Sequence, residues 1–259
     1  MNEIIKRLST WPFFAPIWPV LAKFQHLEHL PSLKELNAKL AVKDITFVEQ
    51  SAKSDNFNAG YEPRIYLQGE VQTRDQSWHD FFNACVWQQF PQTKKLINKL
   101  QFQLQQQRYP SKQRLPAENM LTLFDENGVV VIAKNPELLA LIQQHSWHEL
   151  FWQRRDEVQQ QLQIYVIGHG LYEKALHPYI GLTAKALLLV DYGNQSIDQL
   201  VSNYISTMSA ELKPSMLNPL PILGIPGWWS DNTNEAFYTN KAYFREKPTI
   251  FIPELYSVS

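Results

Sequence analysis

Cysteine is almost absent from this chain: Cys85 is the only one in 259 residues. A single thiol excludes an intramolecular disulfide and any cysteine-cluster metal site, and it fits a reducing compartment, so a cytoplasmic location is expected. Charge of one sign is also missing. The 24 basic and 25 acidic residues leave a formal net charge of −1, so no whole-molecule field draws the chain to nucleic acid or to an anionic lipid surface. No apolar run is long enough to span a bilayer. The closest approach, Leu8 to Ala22, is broken by Pro12, Pro16 and Pro19 and closed by Lys23 without a small-residue cleavage pattern, so it reads neither as a signal peptide nor as a membrane span. Nucleophile elbows, P-loops and G-x-G-x-x-G turns are absent, which removes several well-defined enzyme classes. Internal repeats and domain-separating linkers are absent too.

What is present is apolar enough to fold: 44% of residues are hydrophobic and 13% aromatic. Residues 1–40 are expected as an N-terminal helical arm packing on the body, with Trp11, Phe13, Phe14, Ile17 and Trp18 as its apolar face. Residues 41–259 are expected as a single α+β domain. Ser32 to Glu35 has capping-box spacing ahead of a helix. Ile45 to Val48 reads as a strand, and Arg64 to Val71 alternates as another. Ser77 caps an aromatic helix, Pro91 opens a helix to about Arg108, and Asn135 caps one through Gln144. Ser146 to Glu149 opens a helix to about Gln161. Ile164 to Ile167 reads as a strand buried on both faces, followed by the break Gly168-His169-Gly170 and a return to helix. Ala186 to Val190 is a further apolar run. Leu121 to Phe124 and Val129 to Ile132 flank Asn127-Gly128, which predicts a hairpin over 121–132. Helices outnumber strands without regular alternation, so the fold class is α+β, a predominantly helical domain around a small mixed or antiparallel sheet.

Four constellations carry candidate chemistry. On the aromatic helix, His79 and Asp80 are polar positions in an apolar shell, which suits a cap with a buried hydrogen bond or a base or ligand pair lining a cleft. His169, thrown out by the G-H-G break, lies one helical turn from Glu173, so the two could share a metal or a proton path. The spacing is not the H-E-x-x-H zinc pattern. Asp125 and Glu126 fall in the expected hairpin turn, where carboxylates are ordinarily solvated and matter only if the tip reaches the histidines. Trp228, Trp229 and Asn232 follow a rigid Pro/Gly-rich segment that could form an aromatic-walled ligand site or a strap over the core, with Arg245 as an anion contact or a carboxylate partner.

Two classes of function follow. His79, Asp80, His169 and Glu173 suit a hydrolase-like enzyme with a His/carboxylate site, which a divalent metal could assist, acting on a small-molecule ligand. The alternative is a binding protein, either a protein-interaction module or a nucleic-acid binder. Residues 93–114 carry Lys94, Lys95, Lys99, Arg108, Lys112 and Arg114 with no acidic residue, a pattern that could grip phosphates or simply form a solvated helix face. No membrane association is expected.

Five segments in order, Trp78-His-Asp-Phe-Phe-Asn83, Leu123-Phe-Asp-Glu-Asn-Gly128, Gly168-His-Gly-Leu-Tyr-Glu173, Pro219 to Trp229 and the Phe237-Tyr238 to Arg245 return, resemble the bacterial domain-of-unknown-function family 3025 over about residues 40 to 250. The resemblance implies a single-domain, soluble bacterial protein and assigns no activity to any residue.

Overall fold

The computed structural model describes residues 1–52, 54–190, 193 and 195–247, so the end of the expected 41–259 domain, residues 248–259, lies outside the described residues. The chain opens with α1 (Asn2–Leu8), α2 (Trp18–Leu21) and α3 (Leu33–Lys39), which Ser32 and Glu35 start with a reciprocal capping box. Strand β1 (Thr46–Glu49) pairs in parallel with β2 (Glu70–Thr73) across helix α4 (Tyr61–Gln68). The strand expected over 64–71 is therefore mostly helix. Pro63 sits in the first turn of α4, where its missing N–H costs nothing. Gly69 then reverses the chain at φ +70, with the Asp44 carbonyl so close that a Cβ would lie 2.2 Å from its oxygen.

Helices α5 (Trp78–Gln89), α6 (Pro91–Arg108) and α7 (Pro116–Asn127) follow. A four-stranded mixed sheet is built from β3 (Gly128–Ala133), β4 (Leu162–Val166), β5 (Thr183–Val190) and β6 (Asn218–Pro221) in the order β4-β3-β5-β6. β3 runs antiparallel to β4 and parallel to β5, and β5 runs antiparallel to β6. Around it lie α8 (Pro136–Gln144), α9 (Arg155–Gln161), α10 (His169–Lys174) and α11 (Ile197–Thr207). The α+β class with a small mixed sheet holds.

The hairpin over 121–132 does not form. Pro116 suits a first turn, and Glu118 accepts a hydrogen bond from the Leu115 backbone N–H at 2.8 Å, so a helix is already started upstream. Met120, Leu121 and Phe124 then bury one helical face. Only β3 remains extended, and its partners come from 162–166 and 183–190. Gly128 has φ −77, not the positive φ of a hairpin turn; a Cβ there would meet the Phe124 carbonyl at 2.2 Å. The central strand, buried on both faces, is β3, with every residue buried. β4 lies at the sheet edge, and its Ile164 and Tyr165 are only half-buried. The helix expected from Ser146 is interrupted by a wide turn over Glu149–Gln153 before α9.

Ile5, Leu8, Phe13, Phe14 and Ile17 are buried in the same core as the sheet. Phe13 and Phe14 place their rings 5.4 and 5.3 Å from that of Tyr172, so the N-terminal aromatics support α10. Among the described residues, no helix is long and apolar enough to cross a membrane.

Candidate metal and ligand site

Three helix ends meet beside the sheet. The first turn of α5 brings His79 and Asp80, the last turn of α7 brings Asp125 and Glu126, and the first turn of α10 brings His169 with Glu173 one turn on. The aromatic face of α5 fixes its position: Trp78 stacks on Phe82 at 5.5 Å, and Phe82 lies 5.7 Å from Tyr172 of α10. The two glycines flanking His169 permit close approach of backbone. A Cβ at Gly168 would sit 2.4 Å from the Gly128 nitrogen, and one at Gly170 would sit 2.7 Å from Glu126 Oε2. Gly168 N–H and Ile167 N–H both donate to the Gly128 carbonyl, at 2.8 and 3.0 Å. The start of α10 is thus locked onto the α7–β3 junction, which carries His169 to Glu126.

The result is a compact triangle of donors. His169 Nε2 lies 3.1 Å from His79 Nε2, and Glu126 Oε1 lies 3.5 Å from the first and 3.8 Å from the second. His79 Nδ1 donates to Glu173 Oε2 at 2.9 Å, which leaves its Nε2 facing the centre of the triangle. His169 Nδ1 faces Asp125 Oδ2 at 3.7 Å. Asp125 in turn takes an ion pair from Lys94, whose ammonium also lies 5.3 Å from the Trp87 ring centre.

Burial dominates the protonation of this cluster. It pushes His169 down to about 3; the Asp125 carboxylate opposes this, and Lys94 and His79 reinforce it. The imidazole is therefore neutral near pH 7, the form that ligates metals. Burial raises the Glu126 carboxyl, with His79 acting against it. Burial alone would also raise Asp125, but Lys94 and then His169 outweigh it and hold the carboxyl low.

The triangle opens on a cavity of about 240 Å³ lined by His79, Asp80, His169, Asp125 and Glu126 and also by Tyr61, Glu62, Asn83 and Gln101. Burial pushes Glu62 up to about 7 against a 2.7 Å hydrogen bond from Asn98 Nδ2. Asp80 is held by Arg74, through the backbone N–H at 2.6 Å and through Nε and Nη2 at 2.9 Å each. Burial would raise its carboxyl, and these bonds overcome that and lower it.

The residues expected from sequence are only partly gathered here. His79, Asp80 and His169 line the cavity, and Glu173 joins through His79. Glu173 is bonded to His79, not to the expected partner His169, and His169 is 4% exposed, not partly open. Trp228, Trp229 and Asn232 line a different cavity of about 580 Å³ together with Trp11. Asn232 is wholly buried there and donates to the Leu223 and Ile225 carbonyls at 3.0 and 2.6 Å, a structural role. Arg245 does not join them. Its Nε donates to the Ala242 carbonyl, and its own carbonyl accepts from the Trp147 indole at 2.8 Å. In the basic segment, Lys94 pairs with Asp125, Lys95 with Asp44 and Arg108 with Glu118, and Arg114 donates to Thr122 and the Glu118 carbonyl. Four of its six charges thus have a partner within the chain, and Lys94 alone is buried.

The Asn127-Gly128 signal places Asp125 and Glu126 in a turn. The helical spacing of Met120, Leu121 and Phe124 behind Pro116 would have placed them on a helix end. Glu62 and Gln101 carry no local signal.

A family model described as "Protein of unknown function (DUF3025)" matches residues 45–248. Comparison with curated proteins and with solved structures finds no match.

Proposed function

The chain belongs to the DUF3025 family, whose description assigns no activity, and from that premise we propose that the α5–α7–α10 site is a hydrolytic centre working around a divalent cation held by His79, His169 and Glu126. The observation that carries this reading is the donor triangle, with sides of 3.1, 3.5 and 3.8 Å. Three corners of a tetrahedron with metal–ligand bonds of about 2.1 Å lie about 3.4 Å apart, which these sides bracket. Two imidazoles and one carboxylate suit zinc and its neighbours. The fourth position faces the cavity, where water and substrate would meet. Glu173 behind His79 supplies the hydrogen-bonded carboxylate that orients a ligating imidazole, and Asp125 lies 3.7 Å behind His169 Nδ1. Such a cation would polarise a substrate carbonyl or phosphoryl oxygen and lower the pKa of water.

The remaining features of the chain agree with this reading. We read residues 1–40 as an arm of the same domain and place the protein in the cytoplasm, on the strength of its one buried thiol. The pairing of four of the six 93–114 charges with groups of the same chain favours a small-molecule ligand over nucleic acid.

The test is direct. Protein stripped with a chelator and dialysed is titrated with zinc and with cobalt. One equivalent should bind, cobalt should give the intense visible absorption of a four-coordinate site, and His79→Ala and His169→Ala should each abolish it. Less than a tenth of an equivalent bound, or binding that survives both substitutions, would overturn the proposal.

A further inference from the structure

A second cavity, of about 580 Å³, lies between the end of α1 and the segment after β6, within the ~300–1,000 Å³ of small-molecule sites. It shares no lining residue with the donor triangle. Trp11, Trp228 and Trp229 form its aromatic walls, and each is only half-buried, so ring surface stays open. The fully buried Phe13 braces two of them from behind, stacking on Trp11 at 4.9 Å and meeting Trp228 edge-on at 5.7 Å. Arg7 is the one charged residue among those lining the cavity, and no carboxylate lines it. Arg7 Nη2 donates to the Leu176 carbonyl at 3.0 Å, which anchors the guanidinium, while its Nε and Nη1 have no partner among the described residues. The other polar groups are spent or shut away. The hydroxyls of Thr10, Ser230 and Thr233 donate to the Arg7 carbonyl, to Asp231 Oδ1 and to the Ser230 carbonyl at 2.9, 3.0 and 2.9 Å. The indole nitrogens of Trp11 and Trp229 and the Oδ1 of Asn232 are enclosed and do not reach the open space. Trp228 Nε1 is not among the enclosed atoms and has no protein partner. The side-chain donors left to a ligand are therefore Arg7, which is always charged, and Trp228.

We infer that this cavity binds a small planar aromatic carboxylate, its rings against the indoles of Trp11, Trp228 and Trp229 and its carboxylate on Arg7 and Trp228 Nε1. The competing ligand classes fit less well. A neutral arene would meet the indoles and leave the free Arg7 nitrogens unanswered. An aromatic ammonium would face a like charge with no carboxylate in the lining to offset it. A polyol needs strong acceptors as well as donors, and the lining hydroxyls and enclosed amide offer few. A carboxylate only accepts, so it suits a wall whose free side-chain groups only donate, and the aromatic body matches the indole faces. Arg7 takes the anion-contact role that the sequence reading assigns to Arg245.

The experiment uses the full chain, with and without chelator treatment. Naphthaleneacetate, naphthylethanol and naphthylmethylamine, which share one ring system and differ in charge, are titrated by calorimetry with tryptophan fluorescence as a second readout. The acid should bind once per chain and at least about tenfold tighter than the alcohol, the value of one charge-assisted hydrogen bond, with the amine weaker still. Chelation should leave the acid's affinity unchanged, which separates this cavity from the donor triangle. Arg7→Gln should bring the acid down to the affinity of the alcohol. Trp228→Phe, which keeps a ring and removes the N–H, should weaken the acid by about two- to tenfold and the alcohol little; it decides the matter if Arg7→Gln does not fold. Four results would overturn the proposal: no binding of the acid tighter than about 1 mM, equal or tighter binding of the alcohol or the amine, wild-type affinity for the acid in the folded variants, or loss of acid binding on chelation, which would make the acid a ligand of the cation instead.

Discussion

Replacing the two glycines around His169 by alanine should separate folding from ligand binding at adjacent turns of the chain. At Gly168 a Cβ would lie 2.4 Å from the Gly128 nitrogen, 2.6 Å from the Asn127 nitrogen and 2.7 Å from the Asn127 carbonyl carbon, all backbone atoms held in the α7–β3 junction. To reach ordinary contact the start of α10 must move by about an ångström. That strains the paired hydrogen bonds from Ile167 and Gly168 to the Gly128 carbonyl. Overpacking of this kind costs about 1–3 kcal/mol, and weakening two hydrogen bonds adds about 0.5–1.5 kcal/mol each. The lower entropy of alanine in the unfolded chain returns about 0.4–1 kcal/mol. Gly168→Ala should therefore lose about 2–4 kcal/mol in urea unfolding. At Gly170 the nearest atom is Glu126 Oε2 at 2.7 Å, the end of a flexible side chain, followed by the Glu126 carbonyl at 3.0 Å. The carboxylate can swing away, and alanine inside α10 gains up to about 1 kcal/mol of helix propensity. Gly170→Ala should stay within about 1 kcal/mol of wild type, yet zinc affinity should fall by about 10–100-fold, because one of the three donors has been displaced. Competition with a chromophoric chelator measures that affinity. A Gly168→Ala protein as stable as wild type, or a Gly170→Ala protein with unchanged zinc affinity, would refute the placement of α10 against Glu126.

Lys94→Met should destabilise the protein by about 1–3 kcal/mol in chemical denaturation, because it leaves the half-buried Asp125 carboxylate without the buried ammonium that pairs with it; a loss under 0.5 kcal/mol, on the order of an exposed ion pair, would mean that Asp125 is solvated. Glu62 gives a pH signature. Its folded carboxyl stays protonated up to about 7, above its ordinary value of 4.5, so the folded state holds a proton that the unfolded state has released. Stability should then decline as pH rises from about 4.5 through about 7, by about 1–3 kcal/mol, and Glu62→Gln should flatten that part of the profile. An unchanged profile in the variant would disprove the assignment. Cys85 is fully buried, and burial raises its thiol far above the usual range, so a disulfide reagent should find no reactive thiol in the native protein and one after denaturation. Fast labelling of the native chain would contradict this packing.

The secondary elements that were legible in the sequence are those with local causes. Ser77, with its side chain accepting from Asp80 N–H, and Pro91 at a first turn mark α5 and α6. The apolar run at 186–190 marks β5, because a strand covered on both sides leaves no polar positions. Where two local signals competed, tertiary context chose. Asn127-Gly128 is a strong turn dipeptide, yet the helix begun at Pro116 buries Leu121 and Phe124 against the core. Gly128 is required there for close approach to the Phe124 carbonyl rather than for a positive φ. The alternation at 64–71 lost to α4 in the same way.

The sequence by itself determined the α+β class and the aromatic helix bearing His79. It also determined the break that sets His169 at a helix start, because caps, prolines and apolar periodicity act over a few residues. Only the tertiary structure decided that His79, Glu126 and His169, which are 47 and 43 residues apart along the chain, share one point in space. It also paired Glu173 with His79 rather than with its helical neighbour. It separated Trp228 and Trp229 from Arg245, and turned Lys94 inward onto Asp125. The physical reason is that donor triangles and buried ion pairs are contacts between elements. Their distances depend on how closely backbones approach, here through Gly168 and Gly170, and no local pattern records which carboxylate will be waiting on the other side.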